Sequence, residues 1–132
     1  MQWFEFLQNN SYGVFKVDNK VCHDIFIEAE NYKEARKKAL SLGIYFNGVY
    51  KGIDCPCCGD RWSDYEYVVK LPKLVNENEY IPTHNNECIK KEITTIEDYA
   101  QFLADYCGWT KPDARIYYAN GKILEIYSHN VL

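Results

Sequence analysis

Along the first thirty residues, apolar and polar positions alternate in short runs separated by turn-forming clusters. Trp3 to Leu7 is aromatic-rich and predicts a strand, and Gln8-Asn9-Asn10-Ser11 predicts the turn after it. Val14 to Val17 reads as a second short strand. Asp18-Asn19-Lys20 turns the chain, and Val21 to Ala29 follows as a third. In that third strand Val21, His23, Ile25 and Ile27 share one face, and Cys22, Asp24, Phe26 and Glu28 share the other. Neither face is cleanly polar, so the strand is expected to be buried on one side and partly covered on the other.

The period then changes from two to about 3.6. Tyr32, Ala35, Ala39 and Leu42 recur at helical spacing, with Arg36, Lys37 and Lys38 largely off that stripe. Asn31 with Glu34 three residues on has the form of a capping box, and Gly43 suits the left-handed residue that ends a helix. A second helix is expected to begin at Thr94 or Thr95, with Ile96, Tyr99, Ala100, Leu103 and Cys107 as its apolar stripe and Gly108 as its cap. Between the helices, residues 47–62 carry three Gly and a Pro and read as a loop entered at Asn47-Gly48. Tyr65 to Leu71 is strand-like, and the polar, Pro-containing stretch from Pro72 to Asn86 reads as an exposed loop. The tail folds back on itself around Asn120-Gly121 as a hairpin. The expected order is therefore βββ-α-loop-β-α-ββ. This is an α+β domain, residues 1–132, with a mostly antiparallel sheet covered by two helices.

Composition sharpens this picture in three ways. Of the 132 residues 47% are hydrophobic, enough for a core without disulfides, and 16% are aromatic, too many for a disordered chain. The net charge of -4 argues against general nucleic-acid binding, which depends on clustered Lys and Arg. No run approaches the ~18 apolar residues of a membrane span, and Met1 to Leu7 lacks the basic start of a signal peptide. The expected location is the cytoplasm, where six cysteines stay reduced and their even number implies no disulfide framework.

Candidate chemistry centres on Cys55-Pro56-Cys57-Cys58-Gly59. Cys55 and Cys58 have the spacing with which two thiolates hold one zinc from a tight turn. A closed site needs four ligands, and His84 with Cys88 is the best second pair. Three reduced cysteines packed in a turn would leave the same pattern. A reactive thiol needs a helix N-terminus or a nearby cation to lower its pKa. Here Asp54 and Asp60 oppose Arg61, which argues against redox catalysis at Cys55, Cys57 or Cys58. Asp54, Asp60, Arg61 and Trp62 also place two carboxylates, a guanidinium and a large ring within nine residues, a set able to stack a ring and bind its polar edge. Turn-capping by Asp60 and ion pairing by Arg61 would use the same residues structurally. Phosphate-loop, nucleophile-elbow and zinc-protease motifs do not occur in the sequence.

The run Gly43-Ile44-Tyr45-Phe46-Asn47-Gly48-Val49, followed by Gly52-Ile53-Asp54-Cys55-Pro56-Cys57-Cys58-Gly59-Asp60-Arg61-Trp62, resembles a motif of small uncharacterised proteins of tailed bacteriophages. The likeness extends to the preceding strand and capped helix and to the Ala114 to Tyr118 hairpin, but not to the region of His84 and Cys88. It brings no catalytic residues with it. The resemblance implies an accessory protein of the infected bacterial cytoplasm that binds and inhibits a host protein, an antiviral defence component among them, or a small nucleotide signal. A zinc-stabilised binding module and a thiol-dependent enzyme are the competing expectations.

Overall fold

The computed structural model describes residues 1–76 and 90–129. Five strands form one sheet in the order β3-β1-β2-β6-β7: β1 (Gln2–Leu7), β2 (Asp24–Ala29), β3 (Val68–Val69), β6 (Ala114–Tyr117) and β7 (Ile123–Ile126). β2 and β6 run parallel, and every other pairing in the sheet is antiparallel. A separate ribbon pairs β4 (Lys73–Asn76) with β5 (Lys90–Ile93). Helices α1 (Tyr32–Ser41) and α2 (Ile96–Cys107) complete the α+β domain.

Strand alternation divides the core between the two helices. Phe4, Phe6, Ile25, Ile27 and Tyr117 pack with Ala35, Ala39 and Leu42 beneath α1. Phe26, Ala114, Ile116 and Ile126 pack with Ile96, Tyr99, Ala100 and Ala104 beneath α2. The central strand is thus buried on both faces, one more than expected, because each face meets its own helix. The helix ends follow the sequence: Asn31 accepts a hydrogen bond from the Glu34 N–H and Thr95 from the Asp98 N–H, while Gly43 and Gly108 take positive φ.

The observed order, ββ-α-βββ-α-ββ, corrects the expected βββ-α-loop-β-α-ββ in three places. Val14 to Val17 forms no strand. The Gln8 side-chain amide takes both the N–H and the C=O of Lys16, and Arg61 takes the Val14 C=O, so side chains occupy groups that a ladder would need. The third expected strand begins only at Asp24, because the Val21 and Cys22 carbonyls accept from Arg115 and Gln8 instead. The expected loop after Pro72 opens with β4, whose partner β5 reads Lys-Lys-Glu-Ile and has no apolar alternation to announce it. His84 and Cys88 lie outside the described residues.

One departure shapes the site. Val68 pairs with Phe4, and Trp62 bridges Gln8, so six residue steps from Trp62 to Val68 face four from Phe4 to Gln8. The surplus makes residues 63–67 bulge from the sheet edge, although Tyr65 to Leu71 had the pattern of a strand.

The loop before this bulge requires a glycine. A Cβ on Gly48 would lie 1.8 Å from the Asp54 carboxylate and 2.8 Å from the Tyr45 ring. Asp54 cannot swing aside, because it already accepts from the Arg61 N–H and the Tyr45 hydroxyl. Gly48→Ala is expected to cost about 2–3 kcal/mol in urea unfolding. Gly52→Ala, strained only by its φ of +75° with no atom within 4 Å, should cost about 1 kcal/mol.

Candidate functional site

The residues that looked like a ligand surface are internal fasteners. Asp54 is 2% exposed and Trp62 1%, and Arg61 is 8% exposed. The Arg61 guanidinium donates to Gln8 Oε1 at 2.9 Å, the Val14 carbonyl at 2.8 Å and the Ser11 carbonyl at 3.0 Å. Asp54 Oδ2 accepts from the Arg61 N–H at 2.8 Å, and Asp60 Oδ1 accepts from the Val49 N–H at 2.9 Å. Trp62 fills the core beneath α1. These four side chains staple two loops to the sheet and leave no ring or fork for a ligand.

The cysteines around them stay outside. Cys57 and Cys58 are exposed and Cys55 half-buried. The turn is closed by the Cys58 and Gly59 N–H groups donating to the Cys55 carbonyl, and Asn9 holds the Cys58 carbonyl from across the loop at 2.8 Å. Hydrogen bonding from the Cys58 thiol, then from backbone N–H groups, holds the Cys55 thiol below its ordinary pKa of 9.0. Burial pushes Cys22 up to about 12. Among the described residues no three His, Cys, Asp or Glu side chains gather to hold a metal. Near neutral pH, iodoacetamide is expected to modify Cys55 first and Cys22 last among the five described cysteines, read by peptide mass spectrometry over a time course.

The bulge at residues 63–67 opens a different feature, a cleft of about 740 Å³ between that segment and α2. Ser63, Tyr65 and Tyr67 alternate into it, while Asp64 turns the other way and binds Tyr32 and Arg36 of α1. That ion pair, partly exposed and worth little alone, fixes which side of the segment faces the cleft. From α2 come Tyr99, Leu103, Tyr106 and Cys107, and beyond the helix Trp109. Cys107, on the apolar stripe expected for the second helix, lines the cleft half-buried. Tyr65 is 75% and Trp109 62% exposed, so the opening carries broad apolar rings at the surface.

The floor is acidic. Glu5 and Asp24 sit diagonally on β1 and β2, since Leu7 is the residue opposite Asp24. The two carboxyl groups are close enough for each to act on the other's ionisation. Asp24 is 2% exposed, and its Oδ1 has no hydrogen-bond partner among the described residues. Burial, then repulsion from Glu5, raises the Asp24 pKa well above 3.8, and burial raises Glu5 above 4.5. His23 stands beside them, wedged between Phe15 and Trp109, with Nδ1 3.5 Å from Asp113 Oδ1. No Lys or Arg lines the cleft among the described residues; Lys73 lies outside the lining, 3.3 Å from the Tyr99 hydroxyl.

The sequence offered partial signals for this site. Glu5 interrupts an otherwise aromatic strand, and Tyr65 and Tyr67 alternate at strand spacing. Nothing local brought them together, because the cleft exists only through the mismatch in pairing along β1.

The raised pair makes stability pH-dependent. Above about pH 4 the unfolded chain has released protons that the folded pair still holds, so the folded state binds more. This contribution is fully present below the unfolded values of 3.8 and 4.5 and is lost as pH rises through the raised ones. Thermal midpoints measured from about pH 4 to pH 8 should fall more steeply for the parent than for Asp24→Asn. At the alkaline end the variant should be the more stable protein.

A family model described as Domain of unknown function (DUF7296) matches residues 1–132. No curated protein and no solved structure matches the chain.

Proposed function

We propose a binding role for this chain, which belongs to the DUF7296 family along its whole length. It is a non-enzymatic accessory protein of a tailed bacteriophage that binds and inhibits a host component in the bacterial cytoplasm. The aromatic cleft is the face it binds with. The bacteriophage setting rests on the Gly43 to Trp62 motif. The binding role rests on one observation: rings from a loop and a helix stand exposed around a preformed hollow, where burial would otherwise be favourable.

The same geometry favours a host protein, such as an antiviral defence component, over a small nucleotide signal. A nucleotide brings phosphates, and the floor of this cleft offers carboxyl groups where Lys or Arg would be needed. A protein partner brings side chains of either charge, and the exposed Tyr and Trp rings are the types enriched where proteins meet.

Tagged protein produced in the bacterial host tests this reading. It should recover a stoichiometric host protein. Tyr65→Ser with Trp109→Ser should lose that protein more than tenfold, and Cys57→Ser should retain it. A complex unchanged by the ring substitutions and lost with Cys57 would move the function to the cysteine turn.

A further inference from the structure

The rings of the cleft and the acid at its floor together define what enters it. We infer that the cleft receives an arginine guanidinium presented by a partner protein, held at the floor by the Glu5 and Asp24 carboxyl groups. This deepens the binding role proposed above and rests on it.

Three observations converge. Asp24 lines the cleft, and its buried Oδ1 has no hydrogen-bond partner among the described residues, an arrangement that leaves an acceptor waiting for a donor. Glu5 on the adjacent strand adds a second carboxyl, and two such groups side by side present the spread of acceptors that a planar, forked donor fills. Tyr65, Tyr67 and Trp109 supply exposed ring faces above this floor, on which a flat cation stacks. An ammonium satisfies the charge but neither the fork nor the stacking.

Burial raises both carboxyl pKa values, and repulsion from Glu5 raises that of Asp24 further, so a guanidinium beside them favours ionisation and binding releases protons to solvent. Neighbouring groups set the background for this exchange. Lys73 from β4 lies 5.0 Å from the Tyr99 ring centre and draws Glu5 toward ionisation, as does His23. Asp113 presses the other way on Asp24. Tyr99 stays neutral, pushed above its ordinary value chiefly by burial.

Capped Gly-Arg-Gly, Gly-Lys-Gly and Gly-citrulline-Gly peptides test this with the whole chain, by calorimetry in buffers of different ionisation enthalpy. The arginine peptide should bind at one per chain and at least tenfold more tightly than either counterpart. It should release protons on binding, and it should weaken as pH falls. Asp24→Asn should remove binding by tenfold or more, and Glu5→Gln provides the same reading if that variant does not fold. Citrulline binding equal to arginine, lysine binding equal to arginine, or binding unchanged in both carboxyl variants would overturn the inference. A host complex that needs the aromatic rings but ignores the arginine peptide would remove this inference and leave the binding role standing. Arginine binding without a ring-dependent complex would do the reverse.

Discussion

One buried guanidinium, that of Arg61, holds the cleft side of this protein in place. Arg61 reaches from the end of the cysteine loop into the turn at Ser11 to Val14, donating to two carbonyls and to Gln8, while its own backbone is gripped by Asp54 and Asn9. Buried charges of this kind are costly to leave unpaired, and removing one partner typically costs about 3–5 kcal/mol. The cluster is therefore closer to all-or-none than to a set of independent contacts. Its consequence lies one residue on: with Arg61 fixed, Trp62 drops into the core beneath α1, and the chain must leave the sheet edge at Ser63.

From that departure the cleft follows by geometry. The chain has six steps in which to reach Val68, and β1 offers four, so the surplus bows outward. Asp64 orients the bow through Arg36, and Tyr65 and Tyr67 are carried to the cleft side by strand alternation. The helix opposite is positioned by a separate interaction, the Thr95 cap and the packing of Tyr99, Ala100 and Ala104 on the sheet. Two independently anchored walls explain how a hollow lined by aromatics stays open in a domain of this size.

Much of the fold was legible in the sequence, because its signals are local. The caps at Asn31 and Thr95, the helical stripes and the Asn120-Gly121 hairpin each depend on residues within a few positions of one another. The failures share a cause that is not local. Val14 to Val17 has strand composition, but its backbone groups are claimed by Gln8 and Arg61, eight and more than forty residues away. The same long reach inverted the reading of the motif around the cysteines. Asp54, Arg61 and Trp62 were singled out for chemistry that ligands use, and burial turns that chemistry inward. Spacing told which groups are close and could not tell which way they face.

The acidic floor is where local and global preferences conflict most. Placing a carboxyl at Asp24 in a strand packed on both faces opposes the fold, and adding Glu5 beside it compounds the cost, since neither burial nor a like charge favours ionisation. A sequence optimised only for folding would put apolar side chains at both places, because their buried neighbours on that face include Phe26, Ala114 and Ile116. Sites that break an otherwise consistent pattern are where function is expected to sit, since stability is given up only where something else is gained. Here the gain is specific: a carboxyl pair that is uncomfortable alone becomes comfortable when a cation arrives. The fold thus stores in the cleft part of the free energy that favours its occupant.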